Sequence, residues 1–221
     1  MPTISVNQDL IAKLLSIHGL EHDIKQISDQ LPLLGTDIDR CDEDILDIEI
    51  FPNRPDLLSG ETLSRAIRNF IHHQNTGPEL EVSSGNITMT VDKELKQIRP
   101  VILGAVVRNI DLERLGIESD EFIKSLMDHQ EKLHFALGRG RKRASIGVHD
   151  LSTISPPFRV KAVSGEQKFV PLAMDEPMSI QEILENHPKG IDYAHLLEGF
   201  EKYPVIVDSN DDVLSFPPII N

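Results

Sequence analysis

The sequence predicts an α+β fold in two parts: a small N-terminal βααβα domain at 1–80 and a larger mixed α/β domain at 87–221. Three observations carry this expectation. Helical and alternating apolar spacings interchange up to about residue 75; a stretch of linker composition, 74–86, follows; short strand patterns dominate after it.

Thr3-Ile-Ser-Val6 alternates as a short strand, and Asn7 offers an N-cap to a helix over 8–17 with Leu10, Ile11, Leu14 and Leu15 at helical spacing. A second helix is predicted over 21–31, ending near Pro32 and Gly35. Asp47-Ile-Glu-Ile-Phe51 alternates as a half-buried strand and stops at Phe51-Pro-Asn-Arg-Pro-Asp56, where two prolines exclude ladder hydrogen bonds. Ser59 then caps a helix with Leu63, Ala66, Ile67 and Phe70 on one face. In the second part, Ile87–Val91 alternates, and Val101–Val107 is a nearly continuous apolar run that predicts a strand buried on both faces. A helix is expected over 120–137, capped by Ser119 or Asp120, with Phe122, Leu126, Leu133 and Leu137 as its stripe. Further strands are expected at 145–148, 158–163, 169–172, 204–207 and 213–216, and helices at 179–185 and 192–200.

Composition bounds function. The 221 residues hold 36 acids, 22 Lys and Arg, and a net charge of −14. The whole molecule therefore repels nucleic acid, because phosphate binding needs cations to replace counterions. The charge is uneven, however: residues 1–55 carry eleven acids and four bases and residues 172–221 ten and two, whereas 108–150 carries eight of each. One cysteine, Cys41, excludes a disulfide framework and fits a reducing compartment. No apolar run reaches the roughly 18 residues of a membrane helix, and the N-terminus lacks a signal-peptide pattern. The reading is a soluble, intracellular protein with no membrane association.

Arg139-Gly-Arg-Lys-Arg143 is the one basic cluster. Arg139, Arg141, Lys142 and Arg143 are candidates for gripping a phosphate or carboxylate, while the plainer alternative is a cationic helix end followed by a solvated loop. In Ser145-Ile-Gly-Val-His149, alternation puts Ser145, Gly147 and His149 on one strand face as a possible pocket floor. The alternative is a bulge glycine with Asp150 capping a turn. His149 and Asp150, being adjacent, point apart and are not a hydrolytic dyad. His18-Gly-Leu-Glu21-His22 fits a zinc-peptidase pattern, but Gly19 separates two predicted helices and no third ligand is evident, so no metal is expected. Nucleotide-binding and nucleophile-elbow glycine motifs are absent from the sequence. The C-terminal Val213-Leu-Ser-Phe-Pro-Pro-Ile-Ile-Asn221 follows a predicted hairpin, and its apolar end reads as a cut rather than a natural terminus.

Together these segments resemble a known family. Phe51-Pro-Asn-Arg-Pro-Asp56-Leu-Leu-Ser59 resembles the N-terminal domain of phenylalanyl-tRNA synthetase beta subunits. Ile98-Arg-Pro100, Gln130–His134, Arg141-Lys-Arg143, Ile146–Leu151, Tyr203–Asn210 and Leu214–Asn221 are similar, in family order, to its archaeal and eukaryotic form. The resemblance implies the N-terminal domain plus an editing domain, incomplete at its C-terminal end, that hydrolyses tyrosine misattached to tRNA(Phe). The family continues with the rest of that domain, a magnesium-ligating domain and a catalytic-like core. Aminoacylation, with ATP and Mg2+, belongs to the complete enzyme, an alpha2beta2 tetramer of the cytoplasm. The alpha subunit holds the aminoacylation site, so this segment is expected to bind neither ATP nor metal. A second site that hydrogen-bonds the phenolic oxygen can reject phenylalanine, because its buried polar groups would lose their partner. Ser145, Gly147, His149, Ile206, Ser209 and Ser215 are the editing-pocket candidates, with Arg139 to Arg143 for the tRNA end. The alternatives are a non-catalytic module bracing the alpha/beta assembly and a free-standing editing protein.

Overall fold

The computed structural model describes residues 2–74, 82–114 and 116–220, so most of the predicted linker at 74–86 lies outside the described residues. The chain divides into two compact units, Met1–Glu81 with Arg108–Gly140, and Val82–Val107 with Arg141–Asn221.

The first unit begins with β1 (Thr3–Asn7), α1 (Gln8–Ser16) and α2 (Ile24–Gln30). Asn7 caps α1 by accepting from the Asp9 amide at 2.7 Å, and Asp23 caps α2 by accepting from Gln26 at 3.1 Å. Next come β2 (Thr36–Cys41) and β3 (Ile45–Ile50), which corrects the expected βααβα order to βααββα. Thr36-Asp-Ile-Asp-Arg-Cys41 holds one aliphatic residue, Ile38, among acids, so it lacks the apolar face of a half-buried strand. It forms because it is an edge: the sheet order is β1-β3-β2, all antiparallel. Asp42 makes the hairpin turn, its Oδ1 accepting from the amides of Asp44 at 3.1 Å and Ile45 at 2.9 Å.

One face of this sheet carries Ile4, Val6, Leu46, Ile48 and Ile50, all buried against Ile11 and Leu15 of α1 and Ile27 of α2. Leu63 and Ile67 of α3 (Gly60–Phe70) complete the core. Ser59 starts α3 with a capping box shared with Thr62. Gly60 has no room for a side chain: a Cβ there would lie 2.9 Å from Val6 Cγ1 and Leu10 Cδ2.

The helix expected at 120–137 runs over Ser119–Phe135 (α4) and follows Glu118, which makes no side-chain cap bond. It belongs to the first unit, not the second. Its stripe explains this: Leu133 packs on the β-sheet core with Ala136, Ser125 Oγ donates to Glu61 at 2.6 Å, and Lys132 Nζ donates to the Thr3 carbonyl at 3.1 Å.

The second unit contains β4 (Met89–Val91), β5 (Phe158–Val163), β6 (Lys168–Phe169), β7 (Met178–Ser179), α5 (Ile180–Asn186), α6 (Pro188–Tyr193), β8 (Tyr203–Val207) and β9 (Val213–Ser215). The main sheet has the order β4-β5-β8-β9, parallel at β4-β5 and antiparallel elsewhere. Ile180, Ile183, Val205, Val207, Phe216 and Ile219 form its core. The helix expected at 192–200 starts earlier, because His187 Nδ1 accepts from the Lys189 amide and Pro188 suits a first turn. It ends in a 3-10 turn at Ala194–Leu197, before left-handed Gly199. Gly190 lets α6 touch α5: a Cβ there would lie 1.7 Å from the Ile183 carbonyl oxygen.

Two expected strands do not form, and the one expected at 169–172 is reduced to Phe169, the last residue of β6. Val101–Val107 has no ladder, and Val101, Leu103 and Val107 are 74%, 90% and 75% exposed. Residues 145–148 are likewise irregular. A strand buried on both faces needs neighbouring backbone to satisfy its amides and carbonyls. Among the described residues, no strand pairs with either stretch.

Candidate functional site

Among the described residues, the β8-β9 hairpin is the regular element of the second unit that carries site candidates. In its register Ile206 lies directly opposite Ser215, with a shift before the Val207–Val213 pair. Ser215 is 2% exposed, and Ile206 is half-buried. The Tyr203 ring meets the Phe216 ring edge-on at 6.1 Å, fixing the strand ends beside this pair.

Asp208, also buried, organises the turn. Its Oδ1 accepts from the amides of Asn210 at 2.8 Å and Asp212 at 3.1 Å; its Oδ2 accepts from the Ser155 amide at 3.2 Å and Asn210 Nδ2 at 3.3 Å. A carboxylate with four donors is satisfied by its own loop. Ser209 is therefore held at the exposed tip, its amide donating to the Ser155 carbonyl at 2.8 Å, beyond the end of β8.

Ser145, Gly147 and His149 do not share a strand face, because no strand forms there; Ser145 is half-buried and the other two are exposed. Nearby atoms still draw His149 partly out of water, which lowers its proton affinity and leaves it an uncharged base at neutral pH. Asp150 turns to its own loop, accepting from the Ser152 amide at 2.9 Å and hydroxyl at 2.8 Å.

The basic cluster divides. Arg139, Lys142 and Arg143 are exposed, whereas Arg141 is 3% exposed. The Arg141 guanidinium donates to the carbonyls of Pro218 at 3.2 Å and Ile219 at 2.8 Å and lies 4.4 Å from the centre of the Tyr193 ring. It thus holds the segment after β9 rather than facing solvent. Sequence reasoning did not mark Arg99. Its Nη1 donates to the carbonyls of Arg141 and Lys142, at 3.3 Å each. The signal for it was only the Ile98-Arg-Pro100 block, which spacing alone does not connect to residue 141.

The histidine pattern at 18–22 is occupied otherwise. His18 Nε2 meets Arg68 Nη1 at 2.5 Å, and His22 Nε2 meets Gln8 Oε1 at 2.9 Å. Burial, then the Arg68 and Arg114 charges, lowers the proton affinity of His18, so it accepts from Arg68. Among the described residues no group of three or more His, Cys, Asp or Glu could hold a metal ion. Phe51–Asp56 is structural: Arg54 forms a fork with Asp56 at 2.9 and 2.7 Å and donates to the Leu34 carbonyl. A depression of about 280 Å³ beside it is lined by Phe51, Pro52, Pro55, Phe135 and Leu137, with no titratable side chain.

No protein-family model matches the chain. It is 48% identical to the phenylalanine–tRNA ligase beta subunit of Methanosarcina barkeri over 221 residues, all of this chain and 39% of that protein. Against the beta subunit of Archaeoglobus fulgidus it is 45% identical over 221 residues, 38% of that protein. The crystal structure of an N-terminal fragment of the phenylalanyl-tRNA synthetase beta subunit from Pyrococcus horikoshii superposes with a TM-score of 0.81 at 31% identity, covering all of this chain and 62% of that one. By fold and sequence the chain is thus similar, from end to end, to part of an aminoacyl-tRNA synthetase subunit. Over its whole length the chain is homologous to the phenylalanine–tRNA ligase beta subunit, and it spans less than two-fifths of the curated relatives cited. No helix among the described residues is long and apolar enough to cross a membrane.

Proposed function

We propose that the chain is the N-terminal and editing portion of a phenylalanine–tRNA ligase beta subunit, and that its second unit hydrolyses tyrosine from mischarged tRNA(Phe). The observation that carries this is the juxtaposition of buried Ser215 with Ile206, in a chain similar throughout to that subunit. A serine hydroxyl both donates and accepts, so it can bind a phenol; phenylalanine would leave it without that partner, and discrimination follows. Ile206 supplies an apolar wall for the ring. Ser145, Gly147 and His149 are the candidates for the remaining wall and Ser209 for its rim.

Hydrolysis adds a water oxygen to the ester carbonyl carbon and breaks the bond to the ribose oxygen, which takes a proton. Uncharged His149 is a group able to receive the proton that water gives up. The rest is positioning and hydrogen bonding, since among the described residues no serine or cysteine is hydrogen-bonded to a histidine that could activate it. The complete enzyme is an alpha2beta2 assembly of the cytoplasm that uses ATP and Mg2+ for aminoacylation. For the first unit, a bracing contact with the alpha subunit is favoured by the depression between Phe51 and Leu137.

The test is release of tyrosine from Tyr-tRNA(Phe) by the native subunit. Ser215→Ala is expected to slow it about tenfold, the equivalent of one hydrogen bond, with Phe-tRNA(Phe) untouched. Unchanged release from both Ser215→Ala and His149→Ala proteins would place the pocket elsewhere.

A further inference from the structure

We propose that Arg99, Lys142 and Arg143 form a phosphate-binding surface for the tRNA end, with Arg99 as its orienting member. This rests on the editing reading above, and it changes the membership of the basic cluster by leaving out Arg139 and Arg141 and adding a residue more than forty positions away.

The geometry of Arg99 is the reason. Its main chain is fixed on both sides: its amide donates to the Leu95 carbonyl at 2.9 Å, and Pro100 follows, which restricts it to extended backbone. Its side chain is fixed by Nη1, whose two N–H groups go to the Arg141 and Lys142 carbonyls. What remains is the Nε–Nη2 edge, the pair of parallel donors that matches a carboxylate or phosphate. Among the described residues no acid occupies that edge, although the chain carries 36 acids. Arg54 and Arg159, by contrast, have Asp56 and Asp211.

Arg99 is also half-buried, and burial lowers its proton affinity. The guanidinium has lost water without gaining a counter-charge. An arriving anion restores that balance.

The backbone it grips presents two more cations. Arg139, Gly140 and Arg141 are consecutive left-handed residues, with φ of 51°, 61° and 63°. Two of them are not glycine, so the conformation is strained, and strain of this kind collects at functional segments. Arg141 anchors the strained turn from inside through Pro218, Ile219 and Tyr193. Lys142 and Arg143 follow it directly and are exposed. Arg141 thereby joins the surface to the candidate pocket: its carbonyl is held by Arg99, and its side chain holds the carbonyls just beyond Ser215.

The measurement is binding of uncharged tRNA(Phe) to the native subunit across a potassium chloride series, together with release of tyrosine from Tyr-tRNA(Phe). Arg99→Gln keeps hydrogen-bond donors but not charge. It is expected to weaken binding about three- to tenfold and to reduce the slope of log affinity against log salt by roughly one, with an unchanged circular dichroism spectrum. The Lys142→Gln, Arg143→Gln double variant, which touches only exposed side chains, should lower the slope by one to two, and Arg65→Gln, an exposed cation of the first unit, should leave it alone. A folded Arg99→Gln protein with wild-type affinity and slope overturns the proposal; if that variant does not fold, an unchanged slope in the double variant does so. Tyrosine release with no salt-slope effect sinks this surface and spares the editing reading. A slope effect in a subunit that releases no tyrosine does the reverse.

Discussion

Ile45–Ile50 and Val101–Val107 are both short and apolar, and they occupy opposite environments. The first is the centre of a three-stranded sheet, paired on both edges, with Leu46, Ile48 and Ile50 fully buried. The second has no ladder, and Val107 is 75% exposed. Hydrophobicity does not separate them; backbone partners do. Apolar side chains leave water readily, but their amides and carbonyls follow only where another strand can receive them.

Mutation separates the two segments. Leu46→Ala should cost about 2–5 kcal/mol, seen as a fall in the urea midpoint. If the cost were below about 1 kcal/mol, the sheet would not be the core described here. Removal of the capping box by Ser59→Ala should cost about 1 kcal/mol, because the amide of Thr62 loses its acceptor while the core stays intact. Val107→Ala should change stability by no more than about 0.5 kcal/mol. A loss as large as that of Leu46→Ala would show that this stretch is buried after all. Amide exchange gives the same contrast without mutation: the ladder amides of 45–50 should exchange through global opening, those of 101–107 far faster.

The smallest effect is that of pH. Burial lowers the proton affinities of His18, His22 and His149, while Asp23 and Asp9 act against it at His22. Each group thus binds protons more readily unfolded than folded. Their contribution is present above the ordinary histidine value and is lost as pH falls below it. A thermal midpoint that falls between pH 7 and 5, and falls less in His18→Gln, is the expected result. A midpoint that rises on acidification in that window would contradict it.

Much of the first unit was legible because its signals are local. Asn7 and Ser59 cap where a cap must stand, and β3 alternates. The exception, β2, carries acids on a solvent-facing edge, so its strand character comes from β3 and the Asp42 turn. The second unit was less legible because its decisive contacts are distant in sequence. Phe158–Val163 was readable from its own pattern. The Ser145–His149 stretch was not, since alternation says which face a residue would take in a strand but not whether a strand exists. The same limit hid Arg141 and Arg99: charge identifies a cation, and only packing shows whether it faces water. α4 was placed by its stripe as a helix, yet nothing along the chain tells which core receives Leu133.

The inward turn of Arg141 has a consequence for cleavage. Arg139-Gly-Arg-Lys-Arg143 would look, on paper, like the densest target for trypsin in the chain. Trypsin threads its substrate in extended form and takes the basic side chain into a deep acidic pocket. Arg141 is left-handed, and its guanidinium is committed to Pro218, Ile219 and Tyr193. Brief digestion of the folded protein should therefore spare the bond after Arg141, and cuts in this region should fall after Lys142 or Arg143.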